Sequence, residues 1–292
     1  MVATAACASN AKTDEKTLRR TTSRLTKRST ILGTALLVLG CLAVVAFWPK
    51  RKPVRPVVGP QVAVALPAPC RDLSFEGTDH IVCEIDLRSY DIGLFHKGAE
   101  GKPYRSLRNF DAAMSGQGRQ PLLSMNAGMY HEDLSAVGLL VEDGRQTSPI
   151  DLSSGIGNFF MKPNGVFSVR ADGTAAITES GAYAAAPPAD AFATQSGPLL
   201  VIDGQLHPRF EENGSSRYIR NGVGVRDPQT VVLAISRQPV SFGSFGRLFR
   251  DALACPNALY FDGAISALSN GKDMIIGGAY PVGPILAVFA KQ

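Results

Sequence analysis

Residues 31–48 carry no charge and close on Trp48, directly ahead of the basic run Pro49-Lys50-Arg51-Lys52. At about 1.5 Å of rise per residue, a helix of this length just crosses the hydrocarbon core of a bilayer. The flank before it carries Lys12, Lys16, Arg19, Arg20, Arg24, Lys27 and Arg28 against only Asp14 and Glu15. Such an excess is retained on the cytoplasmic side. The expectation is therefore a basic cytoplasmic tail over residues 1–30, a transmembrane helix or signal anchor over 31–48, and a folded part that is periplasmic or extracellular. Two other exported forms stay open: a cleaved signal peptide, since Ala63-Val64-Ala65 has the small residues of a cleavage site, and a lipoprotein anchored at Cys41. The basic flanks argue against a buried core helix.

Charge divides at the same place. Residues 1–56 hold 11 Lys and Arg and 2 Asp and Glu, leaving 19 basic against 23 acidic residues in 57–292, a net charge of about −4. A nucleic-acid surface needs basic charge on the folded domain itself, so that class of partner is excluded. Membrane contact through the N-terminal segment remains.

Residues 49–69 are rich in Pro and Val and suit an extended linker. The remaining 70–292 is a length that one hydrophobic core can serve. Of the five cysteines, Cys70, Cys83 and Cys255 fall in this part. An oxidising compartment permits one disulfide, and Cys70 with Cys83 would pin the first strand; three buried free thiols are the alternative.

Apolar stretches of strand length recur at His80–Asp86, Ile92–Phe95, Pro121–Asn126, Ala136–Glu142, Gly165–Val169, Ala175–Thr178, Phe192–Ile202, Gly222–Val225, Thr230–Ile235 and Ala258–Phe261. Asp143-Gly144, Asp172-Gly173 and Asp203-Gly204 stand between apolar runs as type I′ hairpin turns do. Two helices are expected: Tyr104–Met114, and one opened by Ser244 with Phe245, Leu248, Phe249, Ala252 and Leu253 on one face, stopped by Pro256. The class is α+β, a single domain with a mostly antiparallel, hairpin-rich sheet and a few helices, preceded by the N-terminal transmembrane helix.

Polar residues stand where several strands stop: Asn126, Gln195-Ser196, Arg220 and Asp262. Rigid strand ends feeding glycine-containing loops are good places to build a site. Each has a plainer reading, Asp262-Gly263 as a fourth hairpin turn and Ser196 as a turn residue. Glu132, in His131-Glu132-Asp133, is an acid or base candidate or a solvated loop residue. No Gly-x-Ser-x-Gly is present, and His80, His96, His131 and His207 show no spacing that pairs one with a serine or a metal.

Taken together, Asn126-Ala127-Gly128-Met129-Tyr130-His131-Glu132, Val137-Gly138-Leu139, Lys162-Pro163-Asn164-Gly165-Val166-Phe167, Ala193-Thr194-Gln195-Ser196-Gly197-Pro198, Arg220-Asn221-Gly222-Val223-Gly224-Val225 and Tyr260-Phe261-Asp262-Gly263 run in one order along the chain. This set resembles the phosphodiester glycosidase family, the domain of the lysosomal uncovering enzyme, and looks most like its short bacterial members. The resemblance implies hydrolysis of a sugar linked through its anomeric oxygen to a phosphodiester, in the cell envelope, with release of the sugar.

Phosphate is a good leaving group, so a carboxylate near C1 and a cation on the phosphate suffice. On that logic Asp262 is the nucleophile or base and Glu132 a second carboxylate. Arg220 is the phosphate ligand, and Asn126, Gly128, Gln195, Ser196, Gly263 and Ser266 bind substrate. No cofactor is implied, and a divalent cation is not indicated. The chain departs from the common Asp-Gly-Gly pattern, having Asp262-Gly263-Ala264-Ile265-Ser266. A Cβ at 264 narrows the approach of backbone to phosphate. A non-catalytic glycan-binding or envelope-assembly module using the same pocket is the alternative.

Overall fold

The computed structural model describes residues 64–291. The expected transmembrane span, 31–48, and most of the 49–69 linker lie outside the described residues. Among the described residues no helix is long and apolar enough to cross a membrane. The described residues form one compact unit, and Leu66 already packs against its core.

Seventeen strands form among the described residues: β1 Cys70–Phe75, β2 Thr78–Asp86, β3 Tyr90–Phe95, β4 Leu123–Asn126, β5 Leu140–Glu142, β6 Arg145–Ser148, β7 Gly165–Arg170, β8 Ala175–Glu179, β9 Asp190–Ser196, β10 Leu199–Ile202, β11 Gln205–Leu206, β12 Asn221–Asp227, β13 Thr230–Ser236, β14 Asn257–Asp262, β15 Leu268–Ser269, β16 Met274–Ile276 and β17 Ile285–Ala290. They build three sheets, ordered β1-β2-β13-β12-β14-β10-β11, β16-β15-β4-β17-β3 and β6-β5-β9-β7-β8. Every pairing between these strands is antiparallel, as expected.

Three helices, α1 Leu107–Gly116, α2 Ser180–Ala185 and α3 Phe242–Arg247, each cover the outer face of one sheet. The period of two along a strand explains how. In β13, Val231, Leu233 and Ile235 point into a central core shared by all three sheets, whereas Val232 and Ala234 belong to an outer cluster with Phe245 of α3 and Phe249 just beyond its end. In β17, Leu286 and Val288 enter the central core, and Ile285, Ala287 and Phe289 pack under Leu107, Phe110 and Met114 of α1. Strands buried on both faces read as unbroken apolar runs, which is why so many were visible in the sequence.

Cys70 and Cys83 are bonded as a disulfide and stand directly opposite each other in the β1–β2 register. Cys255 is a buried free thiol.

Several boundaries differ from expectation for local reasons. The expected strand Phe192–Ile202 is two strands in two sheets, β9 and β10, parted at the cis peptide bond Gly197-Pro198. Helix α1 starts at Leu107 rather than Tyr104, because Ser106 caps it and Arg105 takes a positive φ. Helix α3 is capped by Ser241, three residues before Ser244, and runs on into a π-helical turn, Leu248–Ala252. That wider turn carries Ala252 out to solvent while Phe245, Leu248, Phe249 and Leu253 stay buried. Asp143-Gly144 and Asp203-Gly204 have positive φ at both residues, as type I′ turns need, but at Asp172-Gly173 only the glycine does. The third hairpin therefore closes with a three-residue loop, Ala171-Asp172-Gly173. The Glu76-Gly77 turn between β1 and β2 is a further positive-φ pair, absent from the expectation.

Candidate active site

Asp262 ends β14 and Asn126 ends β4, so the two come from different sheets. Their side chains meet, with Asn126 Nδ2 3.3 Å from Asp262 Oδ2. The other carboxylate oxygen, Oδ1, accepts hydrogen bonds from the backbone amides of Gly263, Ala264 (2.7 Å) and Ile265 (3.2 Å). Gly263 does not take a positive φ. The segment is thus a loop wrapped round the carboxylate, not a fourth type I′ turn. Burial pushes the Asp262 carboxyl pKa upward, against the pull of those three amides.

The orientation of Asn126 follows from unambiguous donors. Its Oδ1 accepts from the Ala267 amide (2.8 Å) and from Asn221 Nδ2 (3.1 Å), so its NH₂ must face Asp262. Asn221 is fixed in turn because its Nδ2 donates to the Asn126 carbonyl at 2.8 Å. Ser266 Oγ lies within 3.1 Å of the Ile219 carbonyl, Asn221 Oδ1 and the Asp262 carbonyl. Asn126, Asn221 and Ser266 are buried. They form a polar seam that joins two sheets and aims one carboxylate oxygen.

Asp262 lies on a cleft of about 460 Å³, lined among others by Tyr130, Asn158, Tyr218, Tyr260, Gly263 and Ile265. Gly263 forms part of the cleft floor, where a Cβ would come 2.3 Å from Tyr260 Oη and 3.3 Å from Arg220 Nη1. Tyr260 is on the same side of β14 as Asp262, since Phe261 between them points into the central core. Burial raises the phenol pKa of both Tyr260 and Tyr130, and the charge of Asp262 adds to it.

Arg220 lies beneath this floor and is fully buried. Its guanidinium carbon sits 3.6 Å from the centre of the Phe242 ring. Nε donates to the Val240 carbonyl (2.9 Å) and Nη2 to Ser216 (3.0 Å to the carbonyl), and Nη1 has no partner. Among the described residues no carboxylate pairs with it. Burial lowers its pKa, but a guanidinium starts so high that it stays cationic. The bidentate fork expected from the sequence is committed to backbone, which leaves one nitrogen and an uncompensated charge under the cleft.

The remaining expected residues are placed differently. Gln195 is buried with all its capacity used: Oε1 accepts from the amides of Leu139 (3.1 Å) and Asp151 (2.9 Å), and Nε2 donates to the Asp151 carbonyl (2.7 Å) and Ser180 Oγ (3.0 Å). It ties the 138–151 segment to β9. Ser196 is buried opposite Gly165, its hydroxyl without a partner, and does not line the cleft. Gly128 is buried with φ +67, and a Cβ would meet Thr194 Oγ1 at 2.4 Å, so it shapes the loop after Asn126 rather than touching the cavity. Glu132 is exposed and off the cleft lining. Asp262 is therefore the one carboxylate on that lining.

The cleft residues that sequence reasoning did not single out as site residues include three tyrosines, Tyr130, Tyr218 and Tyr260, and Asn158. Tyr260 carried a signal, two residues before Asp262 on a strand. Tyr218 and Asn158 come from irregular segments and carried none.

A family model described as phosphodiester glycosidase matches residues 120–288. The uncharacterized protein YigE of Escherichia coli (strain K12) is 34% identical over 200 residues, spanning 68% of this chain and 78% of that protein. Among solved structures, the zebrafish N-acetylglucosamine-1-phosphodiester alpha-N-acetylglucosaminidase catalytic domain, auto-inhibited by its pro-peptide, has the same fold: the TM-score is 0.55 at 14% identity, covering 76% of this chain and 82% of that one. A hypothetical protein from Synechocystis aligns with a TM-score of 0.50 at 14% identity, over 76% of this chain and 61% of that one. With the family model covering more than half of its length, the chain belongs to the phosphodiester glycosidase family.

Proposed function

We propose that the protein is a hydrolase of the cell envelope that cleaves a sugar 1-phosphodiester at the bond between C1 and the bridging oxygen, releasing the free sugar and a phosphomonoester. The observation that carries this reading is the single lining carboxylate, Asp262, set over a buried guanidinium with no counter-ion. A charge buried without a partner is costly and favours an anion brought close to it. A phosphodiester supplies one.

One carboxylate is enough for such a substrate. Ordinary glycosides need a second carboxylic acid to protonate the leaving oxygen, whereas a phosphomonoester departs without that help. Asp262 Oδ1 is immobilised by three amides, so Oδ2 is free to attack C1 or to take a proton from the attacking water. Water then supplies the oxygen that ends on C1, and the bridging oxygen leaves with phosphorus. Asn126 holds Oδ2 in line, and Arg220 stabilises the charge gathering on the phosphate from below the floor. The aromatic walls, Tyr130, Tyr218 and Tyr260, suit the faces of a sugar ring.

The N-terminal apolar segment, the basic flank and the Cys70–Cys83 disulfide support an exported, membrane-anchored protein acting on a substrate made at that membrane. The test is release of free sugar from a panel of sugar 1-phosphodiesters by the parent and by Asp262→Asn. Turnover by the parent, lost in the variant while binding persists, supports catalysis. Binding by both without turnover by either would leave a glycan-binding module instead.

A further inference from the structure

Three aromatic rings stand round Arg220 where a buried cation ordinarily has a carboxylate. The guanidinium carbon is 3.6 Å from the centre of the Phe242 ring, 5.3 Å from that of Tyr260 and 5.4 Å from that of Tyr218. All three distances fall within the range at which an aromatic ring attracts a cation. Among the described residues no Asp or Glu pairs with this side chain.

The rings come from three segments that hydrogen bonds and packing fix in place. The Tyr218 amide donates to the Val240 carbonyl at 3.2 Å and the Val240 amide to the Tyr218 carbonyl at 2.8 Å, and the same Val240 carbonyl accepts from Arg220 Nε. Two residues on, Phe242 opens α3, whose first turn is set by Ser241 Oγ accepting from the Ser244 amide at 3.1 Å. A Cβ on Gly243 would lie 2.5 Å from the Glu211 carbonyl, so the chain at 211–212 closes on the head of the helix, where Arg247 Nη1 also reaches the Glu212 carbonyl at 3.2 Å. Phe210 stacks on Phe242 with ring centroids 5.0 Å apart and planes 16° from parallel, and Tyr260 meets it edge to face at 4.8 Å.

The rings differ in what else they touch. Tyr218 and Tyr260 line the cleft and meet a ligand there directly, whereas Phe242 is buried and off that lining. Anything Phe242 does for a ligand therefore passes through its neighbours, and the closest of them is the guanidinium. A carboxylate in its place would neutralise Arg220 and cancel the pull on an anion. A ring instead holds the planar guanidinium by its face and leaves the net charge intact.

We infer that Phe242 is a positioning residue for phosphate recognition: it takes the place of a counter-ion, holding Arg220 flat and at full charge beneath the cleft for a phosphodiester monoanion. The use of that charge rests on the function proposed above, but its seating can be read from anion binding without any turnover.

The test titrates dimethyl phosphate, a phosphodiester monoanion with no sugar, into the full chain in detergent, followed by ³¹P NMR, with melting points taken on the same samples. Beside the parent stand Phe242→Leu, Phe242→Tyr, which keeps the ring, and Phe249→Leu, which removes a ring from the same outer cluster but not from Arg220. Phe242→Leu should weaken binding by about tenfold or more, Phe242→Tyr should keep most of the affinity, and Phe249→Leu should melt lower yet bind as the parent does. Arg220→Lys supplies the other half of a cycle, because an ammonium has no flat face to seat. In that background Phe242→Leu should cost no more than about twofold. Binding by Phe242→Leu equal to the parent's overturns the inference alone, as does an equal loss with Arg or Lys at 220, which would make the ring a packing element only. No binding by the parent overturns the phosphate role of Arg220 and the inference with it.

Discussion

Asn126 Nδ2 lies 3.3 Å from Asp262 Oδ2 across the seam between the five-stranded sheet of β4 and the seven-stranded sheet of β14. The contact is the only side-chain hydrogen bond to that oxygen among the described residues, so Asn126 decides how the carboxylate presents itself. Asn126→Asp keeps an acceptor for Asn221 and Ala267 but sets a second carboxylate against Asp262. Like charges at this separation cannot both ionise easily, and the acid limb of the activity profile should move up by about one pH unit or more. Rate measurements from pH 3 to 8 check this; an unmoved limb would show that Asp262 is not the titrating group.

The parent itself should show an acid limb displaced upward. Burial raises the Asp262 pKa, and attack or proton removal needs the ionised form. Activity should therefore appear at a higher pH than an ordinary Asp, near 3.9, would give. Stability runs the other way. A carboxyl raised in the folded state contributes fully below its unfolded pKa, and that contribution is lost as pH rises through the folded one. Across that window activity should rise while this group's contribution to stability falls, which denaturant titrations beside the rate profile can read.

Gly263→Ala should disable the site without unfolding the domain. The new Cβ would lie 2.3 Å from the hydroxyl of Tyr260, which is held against Phe242 with ring centroids 4.8 Å apart. A displacement of about 1 Å in a catalytic cleft can lower turnover about 100-fold. Adding Tyr260→Phe removes the atom in the way and should restore part of the rate. No recovery would show that Gly263 does not act through Tyr260.

Loss of the Cys70–Cys83 bond should be felt as stability rather than activity. The cysteines are 13 residues apart, and closing a loop of that size stabilises by about 3 kcal/mol. For a domain of this size the double alanine variant should melt roughly 6–12 °C lower, with kcat/KM unchanged. A melting point insensitive to the substitutions and to reductant would mean that the β1–β2 edge contributes nothing to the cooperative unit.

Much of the sheet was legible in the sequence because β2, β7, β12 and β13 are buried on both faces and read as plain apolar runs bounded by turn residues. The strand β17 escaped, though it sits between β4 and β3, and so did the two-residue strands β11 and β15, too short to carry a period. The break between β9 and β10 was masked by apolar residues on either side of Gly197-Pro198. Asp262 and Asn126 could be picked out as polar residues ending strands, and Arg220 as a polar residue at a strand boundary, which the structure places directly before β12 rather than at a strand's end. What they do could not be read, since the Asn126–Asp262 contact joins residues 136 apart in sequence and the Arg220 fork is spent on carbonyls of Val240 and Ser216. Gln195 shows the same limit in reverse: a polar residue at a strand end that serves the fold alone.

The most direct test of the central claim is hydrolysis of a sugar 1-phosphodiester in water enriched in ¹⁸O, with both products weighed by mass spectrometry. Cleavage at C1 puts the heavy oxygen on the sugar and leaves the phosphomonoester unlabelled, with Asp262→Asn inactive. Heavy oxygen on phosphorus would mean attack at the phosphate, and the protein would then be a phosphodiesterase rather than a glycosidase.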